Sequence, residues 1–444
     1  MLLYTAKENQ MRIEPKILKG FRDFLPAEAS ARKKIIHTLE QMFELFGFQP
    51  IDTPVLEYTE VLLGKGGGET DKQMYRFFDQ GERDVSMRFD LTVPFARFMG
   101  KNEHQLNIPF KRYHIDKVWR GENTQRGRYR EFTQCDFDIV GTASVSADLE
   151  ILLMMYRAFE ALGIEDITIR INHRGVFNRF LKTLGVEKQS TEIMRSIDKI
   201  AKVGPKKVKE NLVDFMAPDK ADAVLTYIQP REHFLDTLET ITKLAGGDAD
   251  DTSRLGQLYE SFKLLGIEEK IFLDSSIMRG LDYYTGIVYE TFFDKLPQIG
   301  SVCSGGRYDN LASLYTRTEL PGVGSSIGLD RLVAALDELG EVSFEEKSAD
   351  AAVFCLDDTL TGYYHLVAEN LRRKNIRCDV FFEKKKLSQQ FKLAEKKHIP
   401  IVIICGTEEQ KSNTISMKDI VEGRSYDKIE LDKAASIILD IMKI

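Results

Sequence analysis

The 444-residue chain is poor in cysteine and histidine, and the spacing of those few residues excludes two common kinds of site. Its five cysteines are scattered and include no CxxC pair, while its seven histidines include no HxxxH pair. This pattern is typical of reduced thiols in a cytoplasmic protein, and it argues against a disulfide framework or a zinc site. We therefore expect no metal ion held directly by protein side chains.

Long apolar runs are also lacking. No stretch approaches the roughly 18 uninterrupted apolar residues that a membrane-spanning helix requires. The first 16 residues contain acidic side chains and no apolar core, which argues against a signal peptide. With 43% apolar and 30% charged residues, the composition is that of a globular protein without a membrane partner.

The chain has no excess of positive charge. A net charge of −7 argues mildly against a protein that only coats nucleic acid, although local basic patches are enough to contact phosphates. The basic run Lys384 to Lys386 is such a patch, and a solvated surface is the commoner explanation for it. A glycine-rich stretch, residues 64–69 (GKGGGE), is not a phosphate-binding P-loop, because no Gly-Lys-Ser/Thr closes it.

The length predicts two or three domains, and the apolar spacing divides the chain into four parts. Helical and strand-like spacing alternates at first, long amphipathic segments follow, strands then return, and a polar linker precedes the last part. There, short apolar runs alternate with helix-length segments, which predicts a small α/β domain with a largely parallel sheet. The predicted helices are 27–47, 146–162 and 327–339, and the predicted strands are 50–56, 85–92, 110–120, 131–140, 271–273, 287–293 and 300–304. The predicted domains are 1–169, 170–265 (a helical insertion), 266–340 and 350–444.

Residues 131–140 form the most informative predicted strand. Side chains alternate between the two faces of a strand, so one face carries Phe132, Gln134, Asp136 and Asp138. Carboxylates in a row are poor core material, because unpaired charges are costly to bury. This face is therefore interpreted as the floor of a site for a cationic or polar ligand.

Four arginines precede that strand and indicate an anion in the same site: Arg120, Arg126, Arg128 and Arg130.

Three further segments carry chemistry, although each alone would be explained as well by an exposed strand face, core tyrosines or an ordinary glycine-rich loop. The first is MRFDLTVPF, in which Arg88, Asp90 and Thr92 would share a strand face; the second is residues 278–286, with Tyr283 and Tyr284. The third combines GGRYDNL (305–311) with GVGSSIGLDRL (322–332), where small residues let a backbone approach a ligand.

Taken together and in this order, the segments resemble the histidyl-tRNA synthetases, which are class II aminoacyl-tRNA synthetases. KGFRDFLP (19–26) with GFQPIDTPVLE (47–57) resembles motif 1, and Pro54 matches its proline. WRGE (119–122) through FDIVG (137–141) resembles motif 2, and GVGSSIGLDRL resembles motif 3. RGLDYYTGIVYE (279–290) and SGGRYD (304–309) resemble two histidine-specific signatures, which are the most specific part of the likeness.

The resemblance implies an α+β fold: an antiparallel catalytic sheet with a helical insertion, plus a C-terminal α/β domain that binds the anticodon. It implies ATP-dependent activation of L-histidine to histidyl-adenylate and transfer to tRNA(His). ATP is then a substrate, with Mg²⁺ bound through its phosphates. The insertion would reach the acceptor stem, and motif 1 would contact a second subunit in a homodimer.

The resemblance also implies roles for individual residues. Arg279 and Arg120 match the catalytic pair at the α-phosphate. The ATP-binding matches are Arg120, Glu122, Arg128, Phe132 and Arg331. The histidine-binding matches are Asp90, Leu91, Thr92, Arg120, Gln134, Asp138, Arg279, Tyr283 and Tyr284.

One departure concerns Asp90 and Asp138, where the best-known bacterial pattern has glutamate. MRFDLTVPFARF resembles the archaeal and eukaryotic branch instead. The site would hydrogen-bond the substrate ring, and such sites reject analogues without matching groups by roughly 10⁴-fold or more. No editing domain is therefore expected. No side-chain base for the transfer step is evident, and a phosphate oxygen of the adenylate could serve.

Two alternatives belong to other functional classes. The first is a synthetase-like regulatory subunit without aminoacylation activity, such as the paralogue that partners ATP phosphoribosyltransferase. Such proteins lose the Arg-Gly-Leu-Asp-Tyr-Tyr signature and typically the anticodon domain, whereas this chain keeps both. The second is the tRNA-sensing domain of a stress kinase, but no kinase motif accompanies these segments.

Overall fold

A computed structural model describes residues 13–64, 72–278, 283–342 and 347–442. These residues form two compact units: 13–23 with 32–342, and 24–31 with 347–442. Within the described ranges, none of the helices combines the length and the apolar character that crossing a bilayer requires. Most of the GKGGGE stretch and the residues Arg279 to Asp282 lie outside the described residues.

The described chain contains sixteen strands and fifteen α-helices. The strands are β1 Gln49–Pro50, β2 Leu56–Tyr58, β3 Arg76–Phe78, β4 Asp84–Met87, β5 Phe110–Trp119, β6 Glu131–Val140, β7 Ile167–His173, β8 Ile271–Leu273, β9 Ile287–Phe293, β10 Cys303–Arg307, β11 Gly322–Gly328, β12 Ala351–Val353, β13 Cys378–Val380, β14 Ile401–Ile404, β15 Thr414–Asp419 and β16 Ser425–Glu430. The helices are α1 Pro26–Leu45, α2 Thr59–Leu63, α3 Thr92–Asn102, α4 Val145–Ala161, α5 Arg174–Thr183, α6 Ser190–Ile197, α7 Ile200–Val213, α8 Pro218–Tyr227, α9 Phe234–Leu244, α10 Asp250–Leu265, α11 Leu329–Leu339, α12 Thr361–Arg372, α13 Leu387–Lys396, α14 Thr407–Ser412 and α15 Leu431–Met442.

An eight-stranded sheet forms the centre of the larger unit, in the order β1-β5-β6-β11-β10-β9-β7-β8. The inner pairs are antiparallel, and the outermost pair at each edge, β1–β5 and β7–β8, is parallel. This confirms the α+β class with an antiparallel catalytic sheet. Since β5 and β6 pair along their whole length, the predicted hairpin is also confirmed.

The two faces of this sheet have different chemistry because side chains alternate along β6. Cys135, Phe137 and Ile139 point to one face and join the main apolar core, which α4 and α11 complete. Gln134, Asp136 and Asp138 are also buried, but they point to the other face. Polar side chains on a buried face need partners, so the second face is the one on which a site can form.

The predicted strand 85–92 ends early. β4 stops at Met87 and pairs with β2 and β3 in a separate three-stranded sheet, and Thr92 already begins α3. The carboxylate of Asp90 accepts a hydrogen bond from the Val93 N–H at 3.0 Å, and Pro94 lies in the first turn, where a missing N–H costs nothing. Arg88, Asp90 and Thr92 therefore do not share a strand face.

One other boundary differs from the prediction. The motif 3 stretch was expected to be helical from residue 327, but Gly322–Gly328 is a strand, and the helix begins at Leu329.

The C-terminal sheet, ordered β13-β12-β14-β15-β16, has two parallel and two antiparallel pairs and is not largely parallel, contrary to the prediction. β15 and β16 carry polar residues at most positions, so they lack the apolar runs on which the prediction depended.

Helices α5–α10 form the insertion between β7 and β8, and together with α4 they bury one carboxylate, Asp148. Asp148 accepts hydrogen bonds from Arg307 Nη2 at 2.6 Å and Nε at 2.9 Å, and it also pairs with Arg254 of α10. One fully buried acid thus connects α4, α10 and the end of β10.

Replacing Asp148 by alanine is expected to destabilise the larger unit by about 3–5 kcal/mol, because two largely buried cations lose their counter-charge. The measurement is the midpoint of chemical denaturation. Asp166→Ala, which removes a solvent-exposed pair with Lys295, is the matched control and should leave the midpoint nearly unchanged. Equal midpoints for the two variants would contradict this role of Asp148.

Candidate active site

A cleft of about 830 Å³ lies over the polar face of the large sheet. Its floor comes from β6, β9, β10 and β11, and its walls come from the segments before α3 and β9. This volume falls within the usual range for small-molecule sites. It has an acidic end, which contains Asp90 and Asp138, and an arginine-rich end, which contains Arg128 and Arg331.

The acidic end holds three buried carboxylates: Asp90, Asp136 and Asp138. Asp90 and Asp138 line the cleft, as do Thr92 and Gln134. Within the described ranges, Asp90 Oδ2 and Gln134 Oε1 are buried acceptors with no hydrogen-bond donor from the protein. Buried acceptors of this kind are costly unless paired, so this end suits a ligand with several N–H donors.

Burial is the main influence on the ionisation of these acids. It raises the pKa of Asp90 to about 6, although Arg120 and Arg112 act in the opposite direction. Burial, together with the neighbouring Asp138, raises the pKa of Asp136 to about 7 against the opposing charge of Arg112. Burial also raises the pKa of Asp138, while Arg112 and the Tyr308 hydroxyl oppose the shift. A cationic ligand group would favour the charged forms.

Arg120 follows β5 and lies between the two ends of the cleft. Its Nε donates to the Phe89 carbonyl at 2.9 Å, and its guanidinium carbon is 5.1 Å from the centre of the Phe132 ring. Its charge lowers the pKa of Asp90 at the acidic end and contributes to lowering that of Arg331 at the other end. Arg120 is thus placed where a group joining two ligand halves would sit.

The opposite end contains Arg331, Arg128, Glu122 and Glu290. Burial lowers the pKa of Arg331 to about 10, assisted by Arg128 and opposed by both glutamates. Arg331 therefore keeps its positive charge at neutral pH. Two arginines near two carboxylates can hold a polyanion together with a divalent cation, since Mg²⁺ prefers oxygen ligands.

Glycines in β10 and β11 leave space for the acidic end. A Cβ on Gly324 would lie 1.9 Å from Asp138 Oδ1, and one on Gly305 would lie 2.1 Å from the Gly324 carbonyl oxygen. Neither contact is possible, so side chains at these positions would displace Asp138 or separate the strands. The small residues of motif 3 thus accommodate a neighbouring carboxylate.

Tyrosines form the wall beside Asp138. The ring centres of Tyr283 and Tyr284 are 4.9 Å apart, and that of Tyr308 is 5.9 Å from Tyr283. Burial raises the pKa of all three hydroxyls, so they remain protonated donors. Tyr308 uses its proton in a hydrogen bond to Asp138 Oδ1.

The structure brings most of the predicted site residues together. Leu91 and Phe132 do not line the cleft: the Leu91 side chain is fully buried, and Phe132 lies beside Arg120. Arg279 lies outside the described residues. The predicted residues that line the cleft are Asp90, Thr92, Arg120, Glu122, Arg128, Gln134, Asp138, Tyr283, Tyr284 and Arg331.

Two of the arginines expected to hold an anion have other partners. Arg126 pairs with Glu338 at 2.8 Å on the surface, and Arg130 donates to the Glu122 carbonyl at 3.2 Å. Arg88 is also directed away from the cleft, donating to the Thr53 carbonyl at 2.7 Å and the Lys117 carbonyl at 3.0 Å. Arg126, Arg128 and Arg130 do not all point the same way, so their spacing in the sequence could not show which of them lines the cleft.

Sequence reasoning missed Arg112, and it assigned no role to Tyr308. Arg112 is opposite Asp138 in the β5–β6 register, and its Nη2 is 2.7 Å from Asp138 Oδ2. The alternation Arg112, His114, Asp116 was a usable signal, because it continues the polar face of β6 onto β5. Tyr308 lies in the SGGRYD signature that the sequence analysis singled out.

A small cluster at the sheet edge was also not foreseen. Asp52, His114 and Asp116 place one potential ligand atom each within 4.8 Å of the others. Burial lowers the pKa of His114 to about 3, helped by Arg112 and Arg88. His114 is therefore uncharged at neutral pH, and the ion pair with Arg88 already accounts for the Asp116 carboxylate.

Comparison with known proteins identifies the family to which these motifs point. A family model for histidyl-tRNA synthetase matches residues 20–332, and one for an anticodon binding domain matches residues 350–441. The chain belongs to the histidyl-tRNA synthetase family. The first match includes every residue of the acidic and arginine-rich ends.

Individual relatives cover nearly the whole chain. The histidine–tRNA ligase of Treponema denticola is 50% identical over 394 residues, which are 87% of this chain and 88% of that protein. That of Rhodopirellula baltica is 45% identical and covers 94% and 95% of the two chains. The crystal structure of histidyl-tRNA synthetase from a Nostoc species superposes with a TM-score of 0.85 at 31% identity, covering 97% of this chain and all of that one. The aspartate variant of the motifs thus occurs in a chain whose relatives include bacterial ones.

Proposed function

We propose that this chain is a histidine–tRNA ligase: it activates L-histidine with ATP and transfers the histidyl group to tRNA(His). The observation that carries the proposal is the position of Arg120 between a buried acidic recess and an arginine-rich end. An amino acid and a nucleoside triphosphate need these two environments, and they react where the two environments meet. Family membership supports the same reaction.

The first step forms the adenylate. The histidine carboxylate oxygen attacks the α-phosphorus in line, and the bond to pyrophosphate breaks on the opposite side. Little covalent help is needed, so positioning and charge neutralisation supply the rate. Arg120 can donate to both the α-phosphate and the substrate carboxylate, because a guanidinium offers several N–H groups in one plane.

ATP would occupy the arginine-rich end. Arg331 and Arg128 would neutralise the β- and γ-phosphates, and Glu122 would read the edge of the adenine. The resemblance also assigns adenine stacking to Phe132, but that ring lies beside Arg120 and does not line the cleft, so its geometry gives this role no support. When bound through the phosphates, Mg²⁺ would neutralise the leaving pyrophosphate. Glu290 fits that ion, because it supplies carboxylate oxygens at the same end as Arg331.

Histidine would occupy the acidic end. Asp90, Thr92 and Gln134 would accept the three N–H donors of the α-ammonium, which pairs the buried acceptors Asp90 Oδ2 and Gln134 Oε1. Asp138 and Tyr284 would hold the two ring nitrogens, with Tyr283 alongside. Neutral imidazole has one donor and one acceptor, so a carboxylate and a hydroxyl form a complementary pair.

Other parts of the proposal depend on the family resemblance. Arg279 would act with Arg120 at the α-phosphate, and Leu91 would contribute to histidine binding through its backbone. Helices α5–α10 would reach the acceptor stem, and the unit containing residues 350–441 would bind the anticodon. Motif 1 would join two copies in a homodimer, and the protein would act in the cytoplasm.

Amino-acid-dependent exchange of pyrophosphate into ATP tests the proposal without tRNA. Exchange is expected with histidine and with none of the other nineteen amino acids, followed by charging of tRNA(His) when that RNA is added. Folded protein that supports no exchange would favour the regulatory-subunit alternative. Exchange with a different amino acid would contradict the assigned substrate.

A further inference from the structure

Arg112 is a fully buried cation behind the acidic end of the cleft. It lies on β5, directly opposite Asp138 on β6, and its Nη2 is 2.7 Å from Asp138 Oδ2 and 4.0 Å from Asp136 Oδ2. The same Nη2 is 3.4 Å from the Leu91 carbonyl oxygen, and the guanidinium lies 4.3 Å from the centre of the Phe95 ring. A buried cation is costly without a counter-charge, so its position is explained by these two acids.

Arg112 does not belong to the cleft surface, whereas Asp138 does. Both carboxylate oxygens of Asp138 have a partner. Oδ2 forms an ion pair with Arg112, and Oδ1 accepts a hydrogen bond from the Tyr308 hydroxyl. Arg112 lies on β5 and Tyr308 directly follows β10, and each limits rotation of the carboxylate. Arg112 can therefore influence a bound ligand only through its neighbours, and of the acids near it Asp138 is the nearest.

We propose that Arg112 is a positioning residue that keeps Asp138 ionised and fixed as the acceptor for the imidazole N–H. The inference rests on the proposed function and extends it to the origin of histidine specificity. An ionised carboxylate only accepts hydrogen bonds, so it selects a ring nitrogen that carries a proton. A protonated Asp138 would present a donor and would lose that selection.

The charges around Asp138 favour this role. Burial opposes ionisation of Asp138, whereas the hydrogen bond from the Tyr308 hydroxyl favours it; Asp90, Asp136, Tyr284 and Tyr289 are coupled to Asp138 electrostatically. Arg112 provides the main influence that favours ionisation. The groups that face Asp138 are Arg112 on β5, Asp136 on β6, Asp90 before α3, Tyr284 before β9, Tyr289 on β9 and Tyr308 after β10.

The expected pH dependence follows from the sign of this interaction. Removing the Arg112 charge raises the pKa of Asp138 further, because the main influence opposing burial is lost and, of the two, only the Tyr308 hydrogen bond remains. Histidine binding needs the carboxylate, so it is retained above the raised pKa and lost as the pH falls through it. The histidine ring titrates in the same way for every variant, so the shift relative to the unaltered protein is the informative quantity.

The experiment compares Arg112→Gln, Arg112→Lys and Arg88→Gln with the unaltered full-length protein. Arg88 is the matched control, since it is another fully buried arginine of the larger unit but lies outside the cleft. Histidine affinity is measured by calorimetry between pH 5.5 and 9 in roughly half-unit steps, and exchange kinetics provide KM and kcat. The KM for ATP is measured in the same way.

For Arg112→Gln, the pH at which half the histidine affinity is lost should rise by about one to three units. At neutral pH the KM for histidine should rise roughly 10- to 100-fold, because the ionised fraction falls tenfold per unit. The kcat and the KM for ATP should change only a few-fold. Arg112→Lys should recover most of the affinity, and Arg88→Gln should keep the original pH profile even if it is less stable.

An unchanged pH profile in Arg112→Gln, or a parallel loss of kcat and histidine affinity, would overturn the proposal. If Arg112→Gln does not fold, Arg112→Met, which also removes the charge, takes its place in the same comparison. A separate readout distinguishes this failure from failure of the proposed function. Infrared spectroscopy of the ligand-free protein at neutral pH should show an extra band from a protonated carboxyl group in Arg112→Gln. Adding Asp138→Asn to that variant should remove the band. Absence of the band in Arg112→Gln overturns the proposal whether or not the protein activates histidine.

Discussion

Replacing Arg120 by alanine is expected to reduce histidine-dependent pyrophosphate exchange by about 10²- to 10³-fold, the usual loss when one donor to a transition-state oxyanion is removed. Arg120 acts electrostatically on both ends of the cleft, and negative charge moves between those ends as pyrophosphate leaves. The measurement is kcat/KM for exchange, together with histidine affinity. We expect kcat to account for most of the loss, because the interaction is strongest in the transition state.

Arg126→Ala is the matched control for this experiment. Arg126 follows Arg120 by six residues but pairs with Glu338 and Asp337 on the surface, outside the cleft. Its removal should change exchange by less than about twofold, since exposed ion pairs contribute little. Wild-type exchange in Arg120→Ala, or equal losses in both variants, would rule out the role assigned to Arg120.

Asp138→Asn is expected to raise the KM for histidine by about 10²- to 10³-fold at neutral pH, with a smaller effect on kcat. The change preserves shape but removes the charge that Arg112 and the imidazole N–H both need. It weakens a charged hydrogen bond to the ligand, at a cost of about 1.5–3 kcal/mol or more. It also leaves Arg112 with the more distant Asp136 as its counter-charge, which lowers stability. Exchange kinetics with varied histidine provide the measurement.

Asp136→Asn is the control that separates charge from position. Asp136 is two residues away on the same strand face, but it does not line the cleft. Its pKa of about 7 means that it is already partly protonated at neutral pH, so an amide should cost less than about fivefold. Equal effects of Asp136→Asn and Asp138→Asn would show that the acidic face acts only through its total charge.

Much of the site was predictable because its signals are local. The alternation in residues 131–140 depends only on the geometry of a strand, and the structure confirms both the strand and its polar face. Tyr283, Tyr284 and Arg331 lie in short motifs that can be recognised without knowing the rest of the fold, and all three line the cleft. The small residues of motif 3 were expected to let the backbone approach a ligand, and what they accommodate in the structure is Asp138 of the protein itself.

Other features were not predictable from spacing. MRFDLTVPF has the period of a strand, but a helix begins at Thr92, and its Val93 N–H donates to the Asp90 carboxylate. Strand propensity is a weak signal over so short a stretch. The strand Gly322–Gly328 has almost no strand propensity by composition and is held by pairing on both sides. Both outcomes depend on what surrounds the segment.

The amino-acid sequence by itself determined the family, the polar face of β6 and the order of the motifs, because each of these follows from neighbouring residues and a fixed period. Only the tertiary structure decided which charges meet. Arg112 reaches Asp138 through the β5–β6 register, and Tyr308 reaches it from beyond β10. Ionisation depends on burial and on charges within a few ångströms, and those distances are set by strand pairing between segments far apart in the chain.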